Sequence, residues 1–189
     1  MHNGVVHQLY GNLGSFMMSS KLPRNILCIT GNSSDKTKEY LSTHICNKYF
    51  FQKIRLDDPI KEVAKVLFDF NNPIDKVDHR WSVTPKQAMK FIEKDMLENK
   101  IMDLLPYIDK NFLAHLAYYK ICNSNSSYVI SDLKTENEYN VLSRLNPYII
   151  KLNDRTKIEE KNKIPYHLLI INNGDKYSII EQFDHDFHL

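Results

Sequence analysis

Glycine is scarce, with 5 in 189 residues, so glycine-rich repeats and flexible linkers are excluded. Cysteine is scarcer still: Cys28, Cys46 and Cys122 form an odd, widely spaced set without a CxxC. That excludes a disulfide frame or a zinc knuckle, and leaves the reading of reduced, mostly buried thiols in an intracellular, cytoplasmic compartment. No apolar run approaches the roughly 20 residues of a membrane helix. The start, MHNGVVHQLYGNLGSF, lacks the basic beginning and apolar block of a signal peptide; residues 1–22 read as a loosely held extension. Excess charge is missing too. Lys plus Arg is 25 against Asp plus Glu 23, a net +2, too balanced for a protein that grips nucleic acid chiefly through phosphates. What is present is a 42% hydrophobic, 25% charged chain, the composition of a folded soluble protein. Its length favours one domain that buries about 70% of the unfolded surface.

From Asn25 onward, short apolar runs alternate with helical patterns. NILCIT (25–30) stops at Gly31 as a buried parallel strand would. GNSSDKT is a polar turn, and a helix begins near Lys36 with Tyr40, Leu41, His44, Ile45 and Tyr49 on one face. Residues 51–56 read as strand and 60–68 as helix, with Pro59 in its first turn. After a loop over 71–81, Thr84 is the N-cap, Pro85 the first helical residue and Gln87 the capping-box partner of a helix running to about Met102. Residues 112–122 are helix, 128–132 strand, 136–145 helix, 148–152 strand, 167–171 strand and 177–183 helix. The pattern predicts a three-layer α/β fold with a mainly parallel sheet and helices on both faces.

Three segments could do chemistry. Thr30 to Thr37 (TGNSSDKT) has the strand-to-helix setting, the lysine (Lys36) and the hydroxyl (Thr37) of a phosphate loop. In such a loop, backbone N–H groups and the helix N-terminus cradle phosphates, and the hydroxyl holds Mg²⁺. Thr30 and Asp35 occupy the two signature glycine positions, with Gly31 shifted by one. The same residues suit an ordinary helix-capping turn. SDLKTENE (131–138) places Asp132 at the end of a strand, where open α/β sheets bind ligands; Lys134 and Glu138 follow it, and a capped helix with solvated charges is the other reading. Lys86, Lys90 and Lys94 recur at helical spacing and line either an anionic pocket or a solvated face. The eight histidines are scattered, and the His185–His188 tail is a poor metal site.

Taken in order, these segments resemble the deoxynucleoside monophosphate kinases of bacteriophages and large DNA viruses, in the P-loop nucleoside monophosphate kinase group. Asp58-Pro59-Ile60-Lys61-Glu62 stands for the "DPIKE" of that family, and Thr84-Pro85-Lys86-Gln87 for "TPRQ", with Asp95 at the following Glu position. Asp132-Leu133-Lys134 stands for "DVR", Asn137-Glu138 for its "NE", and Asn172-Asn173-Gly174 for the closing turn. The resemblance runs from Asn25 to Phe183 and implies a P-loop kinase-like domain over 23–189, with a helical substrate-binding insertion at about 57–122 and a short lid at about 153–165. It implies transfer of a phosphoryl group from ATP, with Mg²⁺, to a deoxynucleoside monophosphate (dNMP), and a homodimer. By position, Gly31, Ser33, Ser34, Lys36 and Thr37 would hold ATP, with Thr37 at the metal. Lys86, Gln87, Asp95, Phe112, Asp132, Lys134 and Glu138 would bind the monophosphate. Lys36, Asp132, Lys134 and a lid arginine, Arg155, would serve the transfer. Lysines at 86 and 134 replace family arginines and lose planar bidentate contacts to phosphate. With Asp35 in the loop, they leave a catalytically impaired kinase-fold binding protein as the alternative.

Overall fold

Ile, Leu and Cys fill β1 (Ile26–Thr30), which is buried along its whole length. Its side chains alternate between two cores, Ile26 and Cys28 facing one and Leu27 and Ile29 the other. That period of two marks a strand covered on both sides. The computed structural model describes residues 26–106, 108, 111–155 and 163–187. The extension expected at 1–22 and most of the expected lid lie outside them.

With β2 (Gln52–Ile54), β3 (Tyr128–Ile130), β4 (Tyr148–Asp154) and β5 (Leu168–Asn172), β1 forms a five-stranded sheet of order β2-β3-β1-β4-β5. Every pairing is parallel. Parallel neighbours cannot be joined by hairpins, so each strand is reached by a crossover. The helices are α1 (Asp35–Tyr49), α2 (Asp58–Phe68), α3 (Pro85–Phe91), α4 (Ile101–Leu104), α5 (Phe112–Cys122), α6 (Glu136–Leu142) and α7 (Lys176–Asp186). On one face, α5 and α6 cover the sheet with Ala114, Ala117, Ile121, Val141 and Leu142. On the other, α1 and α7 supply Leu41, Ile45, Ile179 and Phe183. The result is the three-layer α/β fold that the alternating pattern predicts.

Away from the sheet, a smaller core joins Ile60 and Ala64 of α2 to Ile92, with Met89, Leu97 and Leu113 packed against it. Here the expected single helix to Met102 divides: α3 continues as a π-helix, Ile92–Glu98, before α4. Ile92 and Leu97, five residues apart, both reach this core. A π-turn closes at that spacing and an α-turn does not. Elsewhere β3 stops two residues early, at Ile130, although the Ser131 N–H still reaches the Ile54 carbonyl of β2 at 3.2 Å. β4 extends to Asp154, paired residue for residue with β5.

Candidate functional site

In a parallel sheet all strands end at one edge, and the loops after β3, β1 and β4 are neighbours there because β1 lies between the other two strands. Gly31, the first residue after β1, has φ of +104°. A Cβ there would sit 2.3 Å from the Leu152 carbonyl oxygen, so only glycine lets the loop lie on β4. The loop is then stitched to that strand. The Asn32 N–H donates to Asn153 Oδ1 at 3.1 Å, and the Asp154 N–H donates to Asn32 Oδ1 at 2.7 Å. The Ser33 N–H donates to the Leu152 carbonyl at 3.1 Å, while Ser33 Oγ donates to Asp154 Oδ1 at 2.6 Å. Asn172 Nδ2 reaches that same carboxylate oxygen at 2.7 Å.

Ser34 is the N-cap of α1, its hydroxyl accepting from the Thr37 N–H at 3.2 Å and meeting the Thr37 hydroxyl at 2.8 Å. Asp35 and Lys36 are exposed in the first turn, and the Lys36 side chain makes no hydrogen bond or ion pair among the described residues. The lysine this helix does bury is Lys38, 6% exposed. A polyphosphate at this loop would find part of its donors already taken. The N–H groups of Asn32, Ser33 and Thr37 already have acceptors, and the hydroxyl expected at the metal is paired. No group of three or more His, Cys, Asp or Glu gathers as a metal site among the described residues.

Beyond β3, Asp132 is 4% exposed. Its carboxylate accepts from the backbone N–H of Leu56 at 2.9 Å and of Asp57 at 3.3 Å. Burial pushes its pKa up to about 6; the nearby Asp57 charge adds to this, while the two N–H groups and Lys134 pull the other way. Buried Cys28 is pushed far above the usual thiol range, first by desolvation and then by Asp132. Asp132 therefore clamps the loop between β2 and α2 rather than presenting a free carboxylate. Lys134 is exposed. Glu138 is committed to a capping box: its Oε2 accepts from the N–H of Lys134 (2.8 Å) and Thr135 (2.9 Å), and the Thr135 hydroxyl accepts from the Glu138 N–H.

The clamped loop carries a residue the motif reading passed over. Arg55 forks onto Asp57 at 3.2 and 3.3 Å and lies 3.8 Å from both Asp58 and Glu39. Burial raises the Asp57 carboxyl, but Lys61 and Arg55 outweigh it and hold it below the ordinary value. Such a cation among three acids has no short-range sequence signature, because Glu39 comes from a different helix.

The remaining candidates are on the helical layer and at β4. Lys86 pairs with Asp75 at 3.2 Å, both well exposed. Gln87 completes the capping box with Thr84, as its position predicts. Asp95 is exposed on the π-helix, and Phe112 is half-buried where α5 begins. Preceding α3, the 69–84 loop is knotted by Arg80, which holds the side chains of Asp69 and Asp78 and the Asp69 carbonyl. Arg80 keeps the Asp78 carboxyl below its ordinary value through its hydrogen bonds. Arg155, just past β4, is exposed and donates its N–H to the Asn172 carbonyl at 3.2 Å. The fold thus brings the first loop, Asp132, Lys134 and Arg155 to one sheet edge. Among the described residues no hydrogen bond or ion pair links Lys36 to Asp132.

No protein-family model matches the chain. Over 177 residues it is 25% identical to a protein of Acanthamoeba polyphaga mimivirus described as "Putative deoxynucleotide monophosphate kinase", covering 81% of this chain and 88% of that protein. At that distance the chain is similar to the viral kinase-like protein at the level of superfamily.

Proposed function

We propose that the protein is a deoxynucleoside monophosphate kinase, transferring a phosphoryl group from ATP to a dNMP in nucleotide metabolism. The observation that carries this reading is the parallel sheet of order β2-β3-β1-β4-β5, whose edge collects the first loop, Asp132, Lys134 and Arg155 from distant parts of the sequence. The distant viral relative supports the same class. Phosphoryl transfer asks a protein for positioning and charge neutralisation more than for covalent chemistry. Lys36 in the first turn of α1, and Lys134 and Arg155 on the neighbouring loops, are exposed cations at that edge, and in this reading they neutralise the phosphates. Asp132 shapes the site by fixing the backbone at Leu56 and Asp57.

With MgATP, the purified protein is expected to convert at least one of the four dNMPs to its diphosphate, and Lys36→Ala to lower that rate at least a hundredfold. Absence of turnover on all four by a folded protein overturns the kinase reading. A second reading, a catalytically impaired kinase-fold module that binds nucleotides or a protein, draws on the stitched first loop. It predicts stabilisation without turnover: a ligand at 100 times its dissociation constant adds about 2.7 kcal/mol, readable as a thermal shift. The homodimer the resemblance implies is tested by light scattering after gel filtration.

A further inference from the structure

In the loop after β1, the donors of Asn32 and Ser33 are occupied by a specific set of acceptors. Asn32 and the end of β4 form a reciprocal pair, each backbone N–H of Asn32 and Asp154 meeting a side-chain amide oxygen of the other strand end, Asn153 Oδ1 at 3.1 Å and Asn32 Oδ1 at 2.7 Å. Ser33 repeats the arrangement with its N–H on the Leu152 carbonyl and its hydroxyl on the Asp154 carboxylate. Asn172 of β5 donates to the same carboxylate oxygen. Gly31 allows the close seating, since a Cβ would strike the Leu152 carbonyl. The acceptors include neutral amide oxygens and one carboxylate, and only the carboxylate makes the charge-assisted kind of bond that a phosphate oxygen also makes.

We propose that Asn153 and Asp154 are positioning residues that latch the first loop shut, their oxygens occupying donors that a nucleotide's phosphates would take. The inference rests on the reading of this loop as the nucleotide site. A polyphosphate gains the N–H groups of Asn32 and Ser33 only when the loop leaves β4, and the Asp154 carboxylate repels it until then. Apparent affinity is then the intrinsic affinity reduced by the fraction of open loop. Removing one neutral latch bond shifts that balance about three- to tenfold.

The test uses the full chain with two probes, MgATP and inorganic tripolyphosphate, followed by calorimetry and by amide NMR. Asn153→Ala is expected to bind both three- to tenfold more tightly than the wild type. In the nucleotide-free protein, its Asn32 amide is expected to exchange faster with solvent, a readout that does not depend on turnover. Asn153→Asp keeps an acceptor for Asn32 and adds a charge, and is expected to bind more weakly than the wild type. In the wild type, tripolyphosphate is expected to shift the Asn32 and Ser33 amide resonances. Equal MgATP affinity in wild type and Asn153→Ala overturns the latch and leaves the nucleotide reading standing. If neither folded protein binds either probe, both fall, and the loop is a static clasp. Should Asn153→Ala fail to fold, the wild-type amides decide: MgATP binding without movement of Asn32 and Ser33 overturns the latch.

Discussion

Asp132 shows how a residue at the expected place can do different work. Strand-end position made it a candidate to face substrate, yet both oxygens are satisfied by backbone N–H groups of the next loop. A carboxyl raised to about 6 in the fold from 3.8 keeps a proton that the unfolded chain has released across roughly pH 4 to 6. Stability from this group therefore falls as pH rises through that window and levels off above it. Asp132→Asn, which retains an acceptor for the Leu56 N–H, is expected to flatten this part of the profile. Urea unfolding at pH 4.5 and pH 7 checks it: an unchanged difference between the two pH values would refute the assignment.

At the scale of elements, local signals were legible where the chemistry is local. Thr84 with Gln87 makes the capping box that its spacing predicts, and Thr135 with Glu138 makes a second. Thr135→Ala is expected to cost about 1 kcal/mol. Glu138→Gln keeps an oxygen for the N–H groups of Lys134 and Thr135 and should be near-neutral in denaturant melts. If Glu138→Gln leaves stability intact but weakens dNMP binding, its charge serves ligand as well as cap. The π-helix was not legible, because the polar run after Ile92 has no apolar stripe of its own. Its winding is set by where Ile92 and Leu97 must pack.

For the whole molecule, two cores back to back on one sheet set the stability, and α7 closes the second. Phe183 is fully buried there, 4.7 Å from the Phe187 ring and 5.8 Å from Tyr49. Next to it, Asp184 accepts from His44, Lys48 and Tyr49 of α1. Phe183→Ala is expected to destabilise the protein by about 3–5 kcal/mol, measured by chemical unfolding. A loss below 1 kcal/mol would mean that α7 is not a closing element of this core.

Sequence alone determined the strands, the capped helices and their order, though not the π-helix. Buried strands announce themselves by apolar runs, and helices by caps, prolines in first turns and faces of period 3.6, all within a few residues of one another. Tertiary structure decided what the polar residues at the sheet edge do. Asn32 meets Asn153, Ser33 meets Asp154, and Asp132 meets Leu56 only because the parallel order sets loops from distant parts of the chain side by side. Hydrogen bonds act over about 3 Å in space, and spacing along the chain carries no record of partners more than a hundred residues away.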